Sequence, residues 1–113
     1  MDDCLFCRIA RGEVEADVVN DSDEVVAFRD VNPVGPSHVL VIPKHHVESV
    51  DELSREHGDL LGEIFAMLRD IASSEDLRGG YRIVTNVGPD AGQSVPHLHF
   101  HLIGGRTLSW PPG

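Results

Sequence analysis

The chain has 113 residues, enough for one domain with a proper core. It is 41% hydrophobic and 25% charged, which excludes a disordered chain, and no apolar run approaches the roughly 20 residues that span a bilayer. The formal net charge of -10, with no cluster of Lys or Arg to offset it, excludes a nucleic-acid surface built on phosphate contacts.

The amino terminus, Met1-Asp2-Asp3-Cys4, is acidic and carries no apolar segment. No signal peptide is expected, and a cytoplasmic location follows. Leu5, Phe6, Ile9 and Ala10 have the spacing of a short amphipathic helix stopped at Gly12. Cys4 and Cys7 form a Cys-x-x-Cys pair there: a redox pair, half of a zinc site, or two unrelated thiols. Residues 17–20 and 24–29 read as strands joined at Asp21-Ser22-Asp23, a hairpin. Residues 30–37, with two prolines and a glycine, are loop. Residues 38–43 are a near-continuous apolar run, as for a strand covered on both faces, and Lys44-His45-His46 follow at its exit.

Residues 54–73 predict the long helix. Leu60, Leu61, Ile64, Phe65, Leu68, Ile71 and Ala72 fall on one face, Ser54 is placed to cap the start, and Gly79-Gly80 lie beyond the end. Glu56, Asp59, Glu63 and Asp70 form a solvated face, and His57 is expected to be exposed rather than functional. Residues 81–86 predict a fourth strand, and 87–95 a loop containing Gly92-Gln93-Ser94. The glycine there suits a close approach of backbone N–H groups to phosphate oxygens; a plain hairpin turn is the alternative. Residues 106–113 are a tail whose Leu108 and Trp110 are apolar, so the tryptophan is expected to dock on its own domain or on a partner. Five strands with one long and one short helix make an α+β single domain over 1–113.

The fifth strand carries the chemistry. In Pro96-His97-Leu98-His99-Phe100-His101-Leu102-Ile103, three histidines alternate with large apolar residues. On a helix, His99 would face away from His97 and His101. On a strand, all three imidazoles share one face and Leu98, Phe100 and Leu102 share the other. Three adjacent imidazoles each need partners for two ring nitrogens and titrate near neutrality, which is costly for surface filler. Two chemistries fit: metal ligation by His-x-His, or catalysis by imidazole on a substrate that takes several donors, such as a phosphoryl group.

The pattern His-φ-His-φ-His-φ-φ at residues 97–103 resembles that of the histidine-triad (HIT) superfamily of nucleotide hydrolases and transferases. Gly92-Gln93-Ser94, Gly104-Gly105-Arg106, the closing Trp110-Pro111-Pro112-Gly113, Phe28-Arg29-Asp30 and His38 to Lys44 are similar to the Hint branch, and the similarity covers essentially the whole chain. The resemblance implies a five-stranded antiparallel sheet that dimerises into a continuous ten-stranded one, with the tail near the active site or the dimer interface. It implies a homodimer that hydrolyses purine nucleoside phosphoramidates to AMP or GMP and an amine. His99 would be the nucleophile, forming a nucleotidyl-imidazole; His101 would contact the phosphate, and His97 and His38 would complete the cluster. Ser94 would assist the leaving amine. Asn86, Gly92 and Gln93 would hold phosphate and ribose, Asp30 the ribose hydroxyls with Val31 beside it. Leu5, Phe6, Ile9 and Phe28 would line the base pocket.

No metal is needed at phosphorus. The Cys-x-x-Cys resembles that of a bacterial branch, in which a structural zinc would sit on Cys4, Cys7, His46 and His97; His45 is one residue out of register. The other readings are a dinucleoside polyphosphate hydrolase of the same superfamily, a nucleotide-binding regulatory module with incidental turnover, and a zinc enzyme with an open coordination position.

Overall fold

The structure is a computed structural model and describes residues 4–113; the acidic residues 1–3 read above lie outside it. Helix α1 spans Leu5–Ala10 and helix α2 Gly58–Ser74. The strands are β1 (Val18–Asp21), β2 (Val25–Arg29), β3 (Ser37–Pro43), β4 (Tyr81–Val84) and β5 (Phe100–Gly104). They form one sheet in the order β1-β2-β3-β5-β4, with every neighbouring pair antiparallel. The α+β expectation of five strands with one long and one short helix holds. Among the described residues, no helix is long and apolar enough to cross a membrane.

Period-two alternation divides the sheet's side chains between two cores. Val25, Ala27, Val39, Val41, Phe100 and Leu102 pack with Ile64, Met67, Leu68 and Ile71 of α2. Val26, Phe28, Leu40 and Ile42 pack with Cys4, Phe6 and Cys7 on the side of α1. Strand β3 is buried along its whole length, Ser37 and His38 included, as its near-continuous apolar run predicted. At the end of α2, Glu75 grips Arg29 through two hydrogen bonds (2.8 and 3.1 Å) and accepts the Ser37 hydroxyl, tying the helix to β2 and β3.

Four expectations need correction. The long helix begins as a 3₁₀ turn at Arg55–His57, capped by Ser54, and only then becomes α2. His57, with no part in the site, accepts the Ser54 backbone N–H at its ring nitrogen at 2.9 Å and closes a reciprocal cap. Phe65, expected on the buried face, is 47% exposed, while Met67 is buried. At 100° per residue, Phe65 falls to the rim of a stripe centred on Ile64, Leu68 and Ile71, and its ring meets Phe100 edge-on at 5.4 Å. Strand β4 stops at Val84, two residues short.

The fifth strand joins the ladder only at Phe100, not at His97. Upstream, the backbone bonds go elsewhere: Leu98 N–H to Val47 O (2.6 Å), His97 N–H to Val95 O (2.8 Å), and the Thr85 hydroxyl to His99 O (2.9 Å). The alternation survives this departure. Leu98 still enters the core under α2, while Phe6 of α1 touches the rings of both His97 and His99.

Candidate active site

A cavity of about 570 Å³ opens on the α1 side of the sheet. Leu5, Phe6 and Ile9 wall it from α1, Phe28 and Leu40 from the sheet, and Asp30 and Val31 from the loop after β2; Ser94, His99 and His101 close the remaining side. Nine of the residues proposed from sequence thus meet in one place. The apolar wall and the polar end are both products of pleating, since Leu40 and His101 are direct cross-strand partners on the same face. The sequence reading missed Leu40 and Val95, although the period of two from His38 already pointed to Leu40. It also missed Thr85, an isolated hydroxyl at the end of an apolar strand.

The hydrogen bonds assign the ring protons. His99 Nδ1 lies 2.7 Å from His97 O. A carbonyl only accepts, so Nδ1 carries a proton, and in the neutral ring the lone pair is on Nε2. His38 Nδ1 accepts the Val34 N–H at 3.1 Å, so neutral His38 carries its proton on Nε2. That N–H donates to His101 Nδ1 at 2.9 Å, with Asp30 Oδ2 at 3.4 Å from the same nitrogen. His101 therefore holds its own proton on Nε2 and is a donor. Burial lowers the pKa of His38, against an opposing pull from Asp30. Burial, reinforced by His99 and His38, takes His101 down to about 4. Both rings are neutral near pH 7, as this arrangement requires.

Asp30, His38 and His101 also have the composition of a two-His, one-carboxylate metal site, with donor atoms within 4.8 Å of one another. The hydrogen bonds argue against that use. Metal at His38 Nε2 would move the proton to Nδ1, where it would face the Val34 N–H donor to donor. The group is a hydrogen-bonded relay.

His97 stands apart from the other two triad histidines. It has no exposed surface and its ring faces a second cluster, with Cys4, Cys7 and His46. Its Nδ1 lies 3.2 Å from Cys4 Sγ and 3.5 Å from Cys7 Sγ, and His46 Nδ1 lies 3.3 Å from Cys7 Sγ. All four ligand atoms are within 4.8 Å of one another. His97 Nε2 sits 2.9 Å from Pro43 O, so that nitrogen holds the proton and Nδ1 offers its lone pair to the cluster. An imidazole with its far nitrogen bonded to a backbone carbonyl is a pre-oriented ligand. Burial first, then the neighbouring Cys4, push the Cys7 thiol up to about 11. A cation among these groups would offset that cost, and two thiols with two imidazoles fit zinc. His45, the rival ligand, is exposed.

Asn86, Gly92 and Gln93 are not brought to this cavity. Asn86 lines a separate hollow of about 420 Å³ with Arg82, Arg106 and Val34. Gly92 takes a left-handed φ of 86° to end a 3₁₀ turn, and its N–H bonds Pro89 O. The Gln93 N–H bonds Gly88 O, and its amide spans Gly88 N–H, Glu48 O and Val95 O. Neither N–H is free for a phosphate oxygen; Gln93 pins the loop before the triad.

The site is thus an imidazole tied through Nδ1 to a carbonyl at the edge of the cavity, a donor imidazole beside it, and a thiol-imidazole cluster behind. The model of the HIT domain matches residues 11–108. The chain belongs to the HIT family. It superposes on the crystal structure of a HIT family hydrolase from Legionella pneumophila with a TM-score of 0.97, at 44% identity, over 98% of this chain and 100% of that one. It is 43% identical to a 14 kDa zinc-binding protein of Brassica juncea, over 98% of this chain and 100% of that protein. It is also 43% identical to adenylylsulfatase HINT1 of Arabidopsis thaliana, over 96% of this chain and 76% of that protein. The five-stranded fold, the Cys-x-x-Cys and the Hint-like character of the chain agree with this membership.

Proposed function

We propose that this HIT protein hydrolyses purine nucleoside 5′-phosphoramidates through a covalent nucleotidyl-imidazole on His99. One observation carries the reading: the 2.7 Å bond from His99 Nδ1 to His97 O, which fixes a proton on Nδ1 and makes Nε2 the lone-pair nitrogen of the neutral ring at the edge of the cavity. The base would lie between Leu5, Phe6, Ile9 and Phe28, and the ribose hydroxyls would donate to Asp30. His99 Nε2 attacks the α-phosphorus, forming a P–N bond to the ring as the bond to the amine breaks. The His101 Nε2–H meets the charge building on a phosphoryl oxygen. The departing nitrogen takes a proton through the Ser94 hydroxyl. Water then attacks the same phosphorus, gives its proton to the site and releases AMP or GMP, returning His99 to its starting state. The names of the Arabidopsis and Legionella relatives support hydrolysis at a nucleotide's phosphate. Sulfate in place of the amine would use the same attack.

Cys4, Cys7, His46 and His97 would hold a structural zinc, a reading that the Brassica relative's name supports. A closed set of four protein ligands leaves no position for substrate, so the ion would tie α1 to the sheet and take no part in the chemistry. The unpaired edges of β1 and β4 and an 80% exposed Trp110 support a homodimer in which the sheet continues into a second copy.

The deciding experiment compares the wild type with His99→Ala on an adenosine 5′-phosphoramidate bearing a fluorescent amine. The expected result is turnover in the wild type and a loss of about 10³-fold or more in the variant. Turnover that survives His99→Ala refutes the covalent mechanism. Wild type that ignores the phosphoramidate but cleaves a dinucleoside polyphosphate refutes the substrate class.

A further inference from the structure

Three hydrogen bonds in series lead from the carboxy-terminal tail to the donor imidazole. Arg106 Nε donates to Val34 O at 2.7 Å. The Val34 N–H donates to His38 Nδ1 at 3.1 Å, and His38 Nε2–H to His101 Nδ1 at 2.9 Å. We propose that Arg106 is a positioning residue for His101, holding Val34 so that one tautomer passes through His38 to the nitrogen that faces phosphate. The proposal rests on the reading of His101 as a phosphate donor.

The loop has reason to need such a clamp. Val34 sits between Pro33 and Gly35 in a segment outside any helix or strand, and its own side chain is 52% exposed. A half-exposed side chain does little to fix its orientation, so its N–H is aimed by the contacts of the loop around it. Those contacts come from the end of β5 and the turn that follows. A Cβ on Gly35 would sit 3.2 Å from Gly104 O, and a Cβ on Gly105 would sit 2.9 Å from Pro36 Cβ. The loop and the turn are pressed together along their backbones, and Arg106 closes the contact.

Like Arg82, which donates to Ser109 O at 2.8 Å, Arg106 makes no ion pair among the described residues, and its second bond is to Thr107 O at 3.0 Å. Its donors serve main-chain carbonyls, which is a geometric task rather than an electrostatic one.

Losing the clamp has a defined chemical consequence. With the Val34 N–H withdrawn, the Asp30 carboxylate at 3.4 Å still favours a proton on His38 Nε2, but nothing any longer opposes a proton on Nδ1, and the second tautomer becomes accessible. In that tautomer His38 Nε2 is an acceptor, and His101 must turn its own proton to Nδ1 to meet it. His101 Nε2 then presents a lone pair, not an N–H, to a phosphoryl oxygen. The harm falls on the charged transition state more than on the bound ground state.

The test joins kinetics to a direct view of the tautomers. In uniformly ¹⁵N-labelled wild type, long-range ¹⁵N–¹H correlations should show His38 and His101 each with a bare Nδ1 and a protonated Nε2. In Arg106→Ala, the His38 nitrogens should move toward averaged values, with kcat down about tenfold, the worth of one lost hydrogen bond, and KM within about twofold. Arg106→Lys, which keeps a donor for Val34 O, should recover most of both. Val34→Pro removes the N–H itself and should reproduce the tautomer change with Arg106 intact, which decides the matter if Arg106→Ala does not fold. A folded Arg106→Ala with wild-type His38 tautomers overturns the proposal, as does a melting-temperature loss with kcat unchanged. The tautomer measurement needs no substrate, so failure of the phosphoramidase reading would show in the wild type and leave this result readable.

Discussion

Phe6→Ala tests whether α1 serves the pocket as well as the fold. The Phe6 ring is 5% exposed and meets three others edge-on: Phe28 at 5.4 Å, His97 at 5.9 Å and His99 at 5.2 Å. Truncating a phenylalanine in a sealed core costs about 3–5 kcal/mol. Phe6 borders an open cavity, so water fills part of the space and the low end, about 3 kcal/mol, is expected. For a domain of this length that is a fall in Tm of about 12 °C. The pocket also loses an aromatic wall worth about 1 kcal/mol, so AMP should bind about fivefold more weakly. Calorimetric melting and titration with AMP measure the two effects separately. Phe6→Leu, which keeps most of the volume, should lose less than about 1.5 kcal/mol. A melting loss under about 4 °C would refute the packing argument, and unchanged AMP affinity would refute the assignment of Phe6 to the base pocket.

Elemental analysis of the purified protein should find about one zinc per chain, and Cys7→Ser should lower both zinc content and Tm; a metal-free wild type of full stability would remove the zinc reading. Stability should fall on acidification between about pH 6.5 and 4: the unfolded chain takes up protons there that buried His38 and His101 refuse, so the unfolded state binds more protons and ΔG of unfolding drops. Urea unfolding at pH 7.5 and pH 5 reads this, and equal stability at both would contradict it. Gly105→Ala should destabilise by about 2 kcal/mol, because it demands φ of 89° from a residue with a side chain and drives a Cβ to 2.9 Å from Pro36. A variant as stable as the wild type in urea would show that the turn can relax away from the loop.

Pattern along the chain was enough for much of this molecule. The 97–103 alternation put three imidazoles on one face and three apolar side chains on the other, because the pleat does so wherever the backbone is extended. It held even at His97 and His99, which lie outside the ladder. The α1 residues that wall the cavity, the hairpin of β1 and β2 and the buried β3 were legible for the same reason: each is a local periodicity. The helix start, Phe65 and the end of β4 were misread because they depend on caps, rims and partners that no period reports. The resemblance had already divided the triad, with His97 toward a metal and His99 and His101 toward phosphate; the tertiary structure supplied the surroundings of each ring. His97 is turned to the thiols of residues 90 or more positions away, while His99 and His101 border the cavity. The ring protons, too, were decided in three dimensions: they follow from Pro43 O, His97 O and the Val34 N–H, and a hydrogen bond between backbone and ring is a matter of distance and direction that residue types do not encode.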